Sequence, residues 1–184
     1  MMRYTVTEII GEEPVTAEAV QERLKLLPAQ EDEDLTLNPM IKAAREYCEN
    51  IAGMAFIEQR ITAYPEIAEL AAGYVNLPRP PIIEIESVKA YAEDGTSADL
   101  TGYVVDGEDG RMTMPVNAEG LRSVNPIAVT YRAGGSCPEL ARQAMLLLIG
   151  HWMQNRESVQ TGAVTAVEIA QTTRDILKQY KRWW

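Results

Sequence analysis

The chain has 184 residues, of which 46% are hydrophobic, and a formal net charge of −10 at pH 7. This composition suits one domain with a packed core and excludes a disordered protein. The negative charge argues against binding to nucleic acid or anionic lipid, and no apolar run approaches the roughly 18 residues of a membrane helix. Residues 1–11 lack the apolar run of a signal peptide, and two cysteines make no disulfide framework, so we expect a reducing, intracellular compartment.

The N-terminal third of the chain begins with an expected irregular lead-in over residues 1–15. Thr16 then has the side chain and position of an N-cap, because apolar residues recur at helical spacing directly after it. Pro28 ends this pattern. The sequence therefore predicts a short amphipathic first helix.

A second helix is predicted before residue 53, so that residues 1–53 form an N-terminal helical region. The acidic run Glu31, Asp32, Glu33 and Asp34 lacks the glycine turn and spaced ligands of a calcium loop, and carboxylates at a helix start explain it better. Asn38-Pro39 predicts an N-cap followed by a first-turn proline, and Gly53 predicts the helix end.

Residues 55–133 predict a small, mainly antiparallel β unit. Stretches rich in β-branched and aromatic residues alternate there with turns rich in glycine and proline. The connection 65–73 contains the apolar residues Ile67 and Leu70. Strands are expected near 56–64, 74–77, 83–91, 103–105, 111–114 and 129–131.

The C-terminal part predicts two further helices. Pro138 suits the first turn of a long helix over 138–156, whose broad apolar face indicates burial on more than one side. The small residues of 157–171 predict a flexible linker, although 164–169 also alternates like a strand that could pair with another copy. Residues 172–184 predict a terminal helix with a basic and aromatic tail. The fold class is therefore α+β, with a helical core of two N-terminal helices, one long helix and one C-terminal helix around a β insertion.

The sequence offers little for catalysis, metal binding or cofactor binding, and we expect none of them. A lone helical histidine, His151, is more often packed or exposed than catalytic. Cys48 falls on an apolar helix stripe and is interpreted as core. Glu84 and Glu86 would share one strand face and could form an acid–base pair, but a solvated face is the simpler interpretation.

Charge is distributed unevenly along the chain. Residues 1–50 carry 5 basic and 11 acidic side chains, a net −6, whereas residues 171–184 carry 4 basic and 1 acidic, a net +3. This asymmetry favours head-to-tail attraction between copies or a partner for the basic tail, and the tail is too small for a strong phosphate footprint. The predicted partner interface, with another protein or a second copy of this chain, comprises Lys178, Tyr180, Lys181, Arg182, Trp183 and Trp184. Two alternatives stay open: the cations complement the helix end, or the tryptophans cap their own core.

Several short motifs resemble the tailed-phage head–tail connector family in their order and spacing over nearly the whole chain. None is specific by itself. One departure is Lys178-Gln179 before Tyr180, where the family often has a proline, and it predicts a longer last helix here. The matching motifs are Glu13-Pro14-Val15-Thr16-Ala17-Glu18-Ala19, Ile41 to Glu49, Leu77-Pro78-Arg79-Pro80-Pro81-Ile82, Ser87-Val88, Asp94-Gly95-Thr96, Val129 to Gly134, Ile149 to Glu157 and Leu177 to Trp183.

The resemblance implies a structural, non-enzymatic protein of a virion or prophage, which acts in the bacterial cytoplasm during assembly. Family members form a ring beneath the portal, extend the DNA channel and present a surface to the next head-completion or tail protein. DNA would pass an acidic wall without sequence-specific binding, and no membrane is involved. Subunit contacts are expected at Glu31, Asp32, Glu33, Asp34, Ile67 and Leu70. The alternatives are a non-ring tail-completion or assembly factor and a carboxylate-dependent hydrolase.

Overall fold

The computed structural model describes residues 2–24, 31–114, 119–154 and 163–181, and for residues 31–36, 154 and 163–170 it describes the backbone alone. The chain divides into two compact units. The β unit comprises the described residues of 1–11 and 57–136, and the helical unit those of 12–56 and 137–183. The α+β class is confirmed. That the whole chain acts as one connector domain stays a prediction.

The β unit contains two antiparallel sheets. Its described strands are β1 (Arg3–Ile9), β2 (Gln59–Tyr64), β3 (Tyr74–Asn76), β4 (Ile82–Tyr91), β5 (Ser97–Asp99), β6 (Val104–Asp106), β7 (Arg111–Thr113) and β8 (Ile127–Ala133). A five-stranded sheet has the order β1-β2-β8-β4-β5, and a three-stranded sheet has the order β3-β7-β6. Every pairing among these strands is antiparallel, as the sequence predicted.

The central strands of the larger sheet have one apolar and one polar face, because side chains alternate along a strand. On β8, Val129 and Tyr131 are fully buried, whereas Arg132 between Tyr131 and Ala133 is partly exposed. On β2, Ile61 is buried in the same way and Arg60 faces the opposite side. The polar face of this sheet therefore carries two arginines at its centre.

Two predictions for the β unit were wrong. Residues 3–9 are not an irregular lead-in but the edge strand β1, which pairs with β2 in a register that sets Arg3 opposite Tyr64. The strand β5 was missed because its short polar sequence, Ser97 to Asp99, carries no β signal of its own and is held by pairing with β4. A four-residue helix, α3 (Ile67–Leu70), also lies in this unit and adds to the helices that were expected.

The helical unit consists of four described helices, α1 (Ala17–Leu24), α2 (Glu31–Ala52), α4 (Glu139–Gln154) and α5 (Ala163–Lys178). They enclose an apolar core. Close packing is visible at Gly150, where an added Cβ would lie 2.9 Å from Leu24 Cδ2. The buried members of the core are Val15, Val20, Leu37, Ile41, Ala44, Cys48, Ala52, Phe56, Ala141, Ala144, Met145, Leu148, Ile149 and Leu177.

Local capping signals are confirmed at two helix ends. Thr16 Oγ1 accepts a hydrogen bond from the Ala19 backbone N–H at 3.2 Å, as expected of an N-cap. Gly53 has φ of +70° and donates its N–H to the Glu49 carbonyl at 2.8 Å, so it ends α2 in the left-handed conformation that glycine favours.

The start of α2 differs from the prediction. The helix begins at Glu31, so the acidic run does open a helix, but Pro39 lies inside it instead of in its first turn. Leu37 and Ile41 on either side of the proline are both buried. Their burial gives a physical reason for the helix to continue across the missing proline N–H.

The last helix also differs from the prediction. It begins at Ala163, so the part of the expected flexible linker from 163 to 171 is helical, and it ends at Lys178 rather than extending further. Residues 155–162 lie outside the described residues. The pattern that resembled a strand over 164–169 is overridden by packing of α5 against α4 and α2. Among the described residues, no helix is long and apolar enough to cross a membrane.

Candidate interaction surfaces

The described part of the C-terminal segment is a turn that follows α5. Lys178 is exposed and forms an ion pair with Asp175 at 2.8 Å, one turn earlier. Tyr180 is half-buried and packs against the helical core, whereas Lys181 is exposed. The structure thus brings two of the predicted interface cations to the surface and places Tyr180 partly inside. Arg182, Trp183 and Trp184 lie outside the described residues, so their role as an interface stays a prediction.

The other predicted contact residues belong to different units. The four carboxylates of 31–34 belong to the first turn of α2, and their side chains lie outside what is described. Ile67 and Leu70 are both half-buried on α3 in the β unit. Ile67 borders a shallow depression together with Arg3 and Val124. The contacts predicted for these residues remain predictions.

A buried ion cluster in the helical unit was missed from the sequence. Arg45 on α2 is 3% exposed, and its guanidinium donates to Glu49 Oε2 at 2.9 Å and to Glu13 Oε2 at 2.9 Å. Glu49 is fully buried, and its Oε1 accepts the backbone N–H of Phe56 at 2.8 Å. The cluster therefore joins three segments: the lead-in to α1, the middle of α2 and the chain just after α2.

The sequence did carry a signal for this cluster. Arg45 and Glu49 are four residues apart, the spacing of a helical ion pair. They also lie on the same helix as the apolar stripe of Ile41, Ala44 and Cys48, with Arg45 directly beside Ala44 and Glu49 directly beside Cys48. Charged residues adjoining a core stripe at that spacing indicate a buried pair, since a buried charge needs a hydrogen-bonded partner.

A second missed cluster holds the proline-rich connection between β3 and β4. Arg79 has φ of +57°, an uncommon conformation for a residue with a side chain. Its guanidinium donates to Tyr4 Oη at 3.0 Å and to the buried Gln59 Oε1 at 3.3 Å. Tyr131 Oη donates to the Pro78 carbonyl at 2.7 Å, and burial raises the pKa of Tyr131 well above its ordinary value. These hydrogen bonds hold the connection in place, whereas the sequence predicted only that a strand ends there.

The polar face of the five-stranded sheet is an ion-pair network. Arg60 donates to Glu86 at 2.8 Å and also to Glu8, and hydrogen bonding to Glu86 raises the pKa of Arg60. Arg132 donates to Glu58 at 2.7 Å and to Glu84. The hydrogen bond to Glu84 is the main cause of the raised pKa of Arg132. Because Glu84 and Glu86 both form ion pairs with arginines on this face, with Arg132 contacting both of them, this arrangement does not resemble a catalytic carboxylate pair.

The thiols and the histidine show no arrangement that favours chemistry. Burial raises the pKa of Cys48 to about 12 and that of Cys137 to about 11, so both thiols are held protonated at neutral pH. The interpretation of Cys48 as core is confirmed. His151 lies half-buried in the last turn of α4. Among the described residues, no group of three or more histidine, cysteine, aspartate or glutamate side chains could hold a metal ion.

The fold is similar to that of chains in solved structures of gene transfer agent particles. One similar chain belongs to the structure titled "Virion of native gene transfer agent (GTA) particle", with a TM-score of 0.71, 15% identity and coverage of 100% of this chain and 97% of that chain. Another belongs to the neck of an empty GTA particle computed with C6 symmetry, with a TM-score of 0.68, 16% identity and coverage of 100% and 97%. A third belongs to the neck of a native GTA particle computed with C12 symmetry, with a TM-score of 0.61, 14% identity and coverage of 100% and 96%.

The sequence gives the family directly. The pattern of the family described as "Head completion protein" matches residues 14–183, and the chain belongs to this family. The resemblance to head–tail connectors that the motifs indicated is thereby confirmed. No curated protein sequence matches the chain significantly.

Proposed function

We propose that this protein is a structural head–tail connector whose copies close into a ring under the portal, extend the DNA channel and join the head to the tail. The observation that carries the proposal is the family match over residues 14–183. The likeness of the whole fold to chains from gene transfer agent particles supports the proposal. The similarity covers all of this chain and 97% of the chain from the virion structure. We place the protein in the virion, and in the bacterial cytoplasm during assembly.

The charge of the chain suits a channel component. A net charge of −10 repels DNA, so a wall made of such subunits favours passage over retention. A ring is a closed set of head-to-tail contacts, in which one surface of each copy meets a different surface of the next. The acidic N-terminal part and the basic C-terminal segment provide two surfaces of opposite charge for such contacts, although screening makes surface charge alone a weak source of affinity. The remaining partners are the portal protein and the next head-completion or tail protein.

Mass measurement of the concentrated protein, with images of the same sample, tests the ring. We expect one closed species of many subunits, and deletion of the gene should yield heads that do not join tails.

Removal of residues 181–184 should weaken docking or ring closure while leaving the fold intact. A stable monomer that binds a tail protein and not the portal would instead establish the non-ring assembly factor. Global unfolding after truncation would show that the tail caps its own core.

A further inference from the structure

The five-stranded sheet of the β unit has two open edges, formed by β1 and β5. Within the described ranges each of these strands pairs with a single neighbour, β1 with β2 and β5 with β4. Five of the seven residues of β1 and all three of β5 are exposed. Such edges present unpaired peptide groups that a strand of another molecule can bind.

The hydrogen bonds between β4 and β5 identify the free peptide groups of β5. Successive residues of a strand turn their N–H and C=O groups to opposite sides. Leu100 N–H donates to the Val88 carbonyl at 2.8 Å, so the peptide groups of Leu100 face β4. Those of Asp99, and of Ser97 two residues before it, therefore face the open edge.

The same alternation identifies a free residue on β1. The carbonyl of Glu58, just before β2, accepts the Ile10 N–H at 2.8 Å and so faces β1. Thr62, four residues later, faces the same way, and its partner in the register is Thr5. Thr5 is therefore bonded to β2, and the adjacent Tyr4 turns its peptide groups to the open edge.

Each open edge carries one charged side chain on the polar face of the sheet. Arg3 on β1 and Asp99 on β5 end the same row of residues across the five strands. The Arg3 guanidinium lies 5.6 Å from the centroid of the Tyr64 ring, and Asp99 lies opposite Lys89 in the register. Neither Arg3 nor Asp99 forms an ion pair with any residue that the structure describes.

We propose that β5 of one copy pairs with β1 of the next copy, with Asp99 opposite Arg3, so that neighbouring sheets join. β1 and β5 run in the same direction, since four antiparallel pairings separate them. Successive copies in a ring of many subunits differ by a small rotation, so this pairing is parallel. The outward peptide groups of Asp99 then meet those of Tyr4 in the next copy. The two edges are different surfaces, as head-to-tail closure requires.

This register also matches the side chains beside the charge pair. It sets Leu100 beside Tyr4 of the next copy, and both are half-buried side chains of the apolar face. It sets Thr101 beside Thr5, and both are exposed. Cross-strand pairs of like polarity and of opposite charge stabilise a sheet. The register of β1 shifts after Val6, so the contact is confined to the first half of that strand. This inference rests on the proposed ring function and assigns one of its subunit contacts.

A disulfide between copies tests the contact in the whole protein. In one copy the two residues lie four strand spacings apart, roughly 19 Å, which is too far for a bond within the chain. Arg3→Cys with Asp99→Cys, oxidised by oxidised glutathione, should give covalent multimers up to the size of the ring on a non-reducing denaturing gel. A mixture of the two single variants should give dimers at most. Arg3→Cys with Glu93→Cys is the matched control, because Glu93 is an exposed carboxylate in the turn before β5, and it should give no multimers.

Charge reversal tests the pair without cross-linking. Arg3→Glu alone and Asp99→Lys alone should each raise the concentration needed for half-assembly by about threefold or more at low salt. The double variant should restore most of the assembly, because the pair is rebuilt with its signs exchanged. A folding defect would not be repaired in this way, and circular dichroism of each variant checks the fold. Failure of the double variant to recover refutes the charge pair.

The remaining outcomes separate this contact from the ring itself. Rings that form without cross-links refute the contact and leave the ring function standing. Cross-linked open chains that never close refute the ring function and support the contact. Disulfides formed by Arg3→Cys alone would show that β1 pairs with β1 of another copy, and would overturn the proposal.

Discussion

Substitution of Arg45 should destabilise the helical unit far more than substitution of an exposed arginine. In Arg45→Met, the fully buried Glu49 carboxylate keeps the hydrogen bond from the Phe56 N–H but loses its ion pair with the Arg45 guanidinium. Removing one partner of a buried ion pair costs about 3–5 kcal/mol, because the remaining charge loses its ionic partner inside the protein. Glu49→Gln keeps an acceptor for the Phe56 N–H and should cost less, about 1–3 kcal/mol. Arg142→Met is the control, since it breaks an exposed pair with Glu139 worth about 0–1 kcal/mol.

Urea unfolding followed by circular dichroism measures these differences as shifts of the midpoint at constant slope. If the two units unfold in separate steps, only the step of the helical unit should move. The expected order of destabilisation is Arg45→Met, then Glu49→Gln, then Arg142→Met. If the Arg45→Met protein is no less stable than the Arg142→Met protein, the buried ion cluster does not stabilise the helical unit and the reasoning is refuted. A smaller denaturant slope with an unchanged midpoint would instead indicate that the substitution changed the unfolded or the native state.

Two further predictions concern a turn and a thiol. Gly110→Ala should destabilise the β unit more than Gly95→Ala: both glycines have positive φ, but a Cβ at Gly110 would lie 2.9 Å from the Leu77 carbonyl oxygen, whereas nothing lies within 4 Å at Gly95. Equal midpoints in thermal unfolding would contradict this. Burial raises the pKa of Cys48 from 9.0 to about 12, so the unfolded state loses its thiol proton first and stability should fall as pH rises from about 9 toward 12, by up to about 1.4 kcal/mol per pH unit. Cys48→Ala should reduce that slope in unfolding curves without abolishing it, because Cys137, whose pKa burial raises to about 11, contributes with the same sign. An unchanged slope would show that Cys48 does not contribute to it.

The sequence by itself determined the features that depend on local chemistry. The Thr16 cap, the Gly53 stop, the long helix α4 and the core position of Cys48 all follow from side-chain type and spacing within a few residues. The antiparallel character of the β unit follows from short strands joined by turns. The family also follows from sequence, because it lies in the order of many weak motifs over residues 14–183.

Only the tertiary structure decided the features that join distant segments. The strand β1 exists through its pairing with β2, which lies 50 or more residues away. The helix α5 starts early because packing outweighs its β-branched residues. The Arg45 cluster depends on Glu13, which lies 32 residues earlier. Such features depend on which segments meet in three dimensions, and no local propensity of a single chain determines that choice.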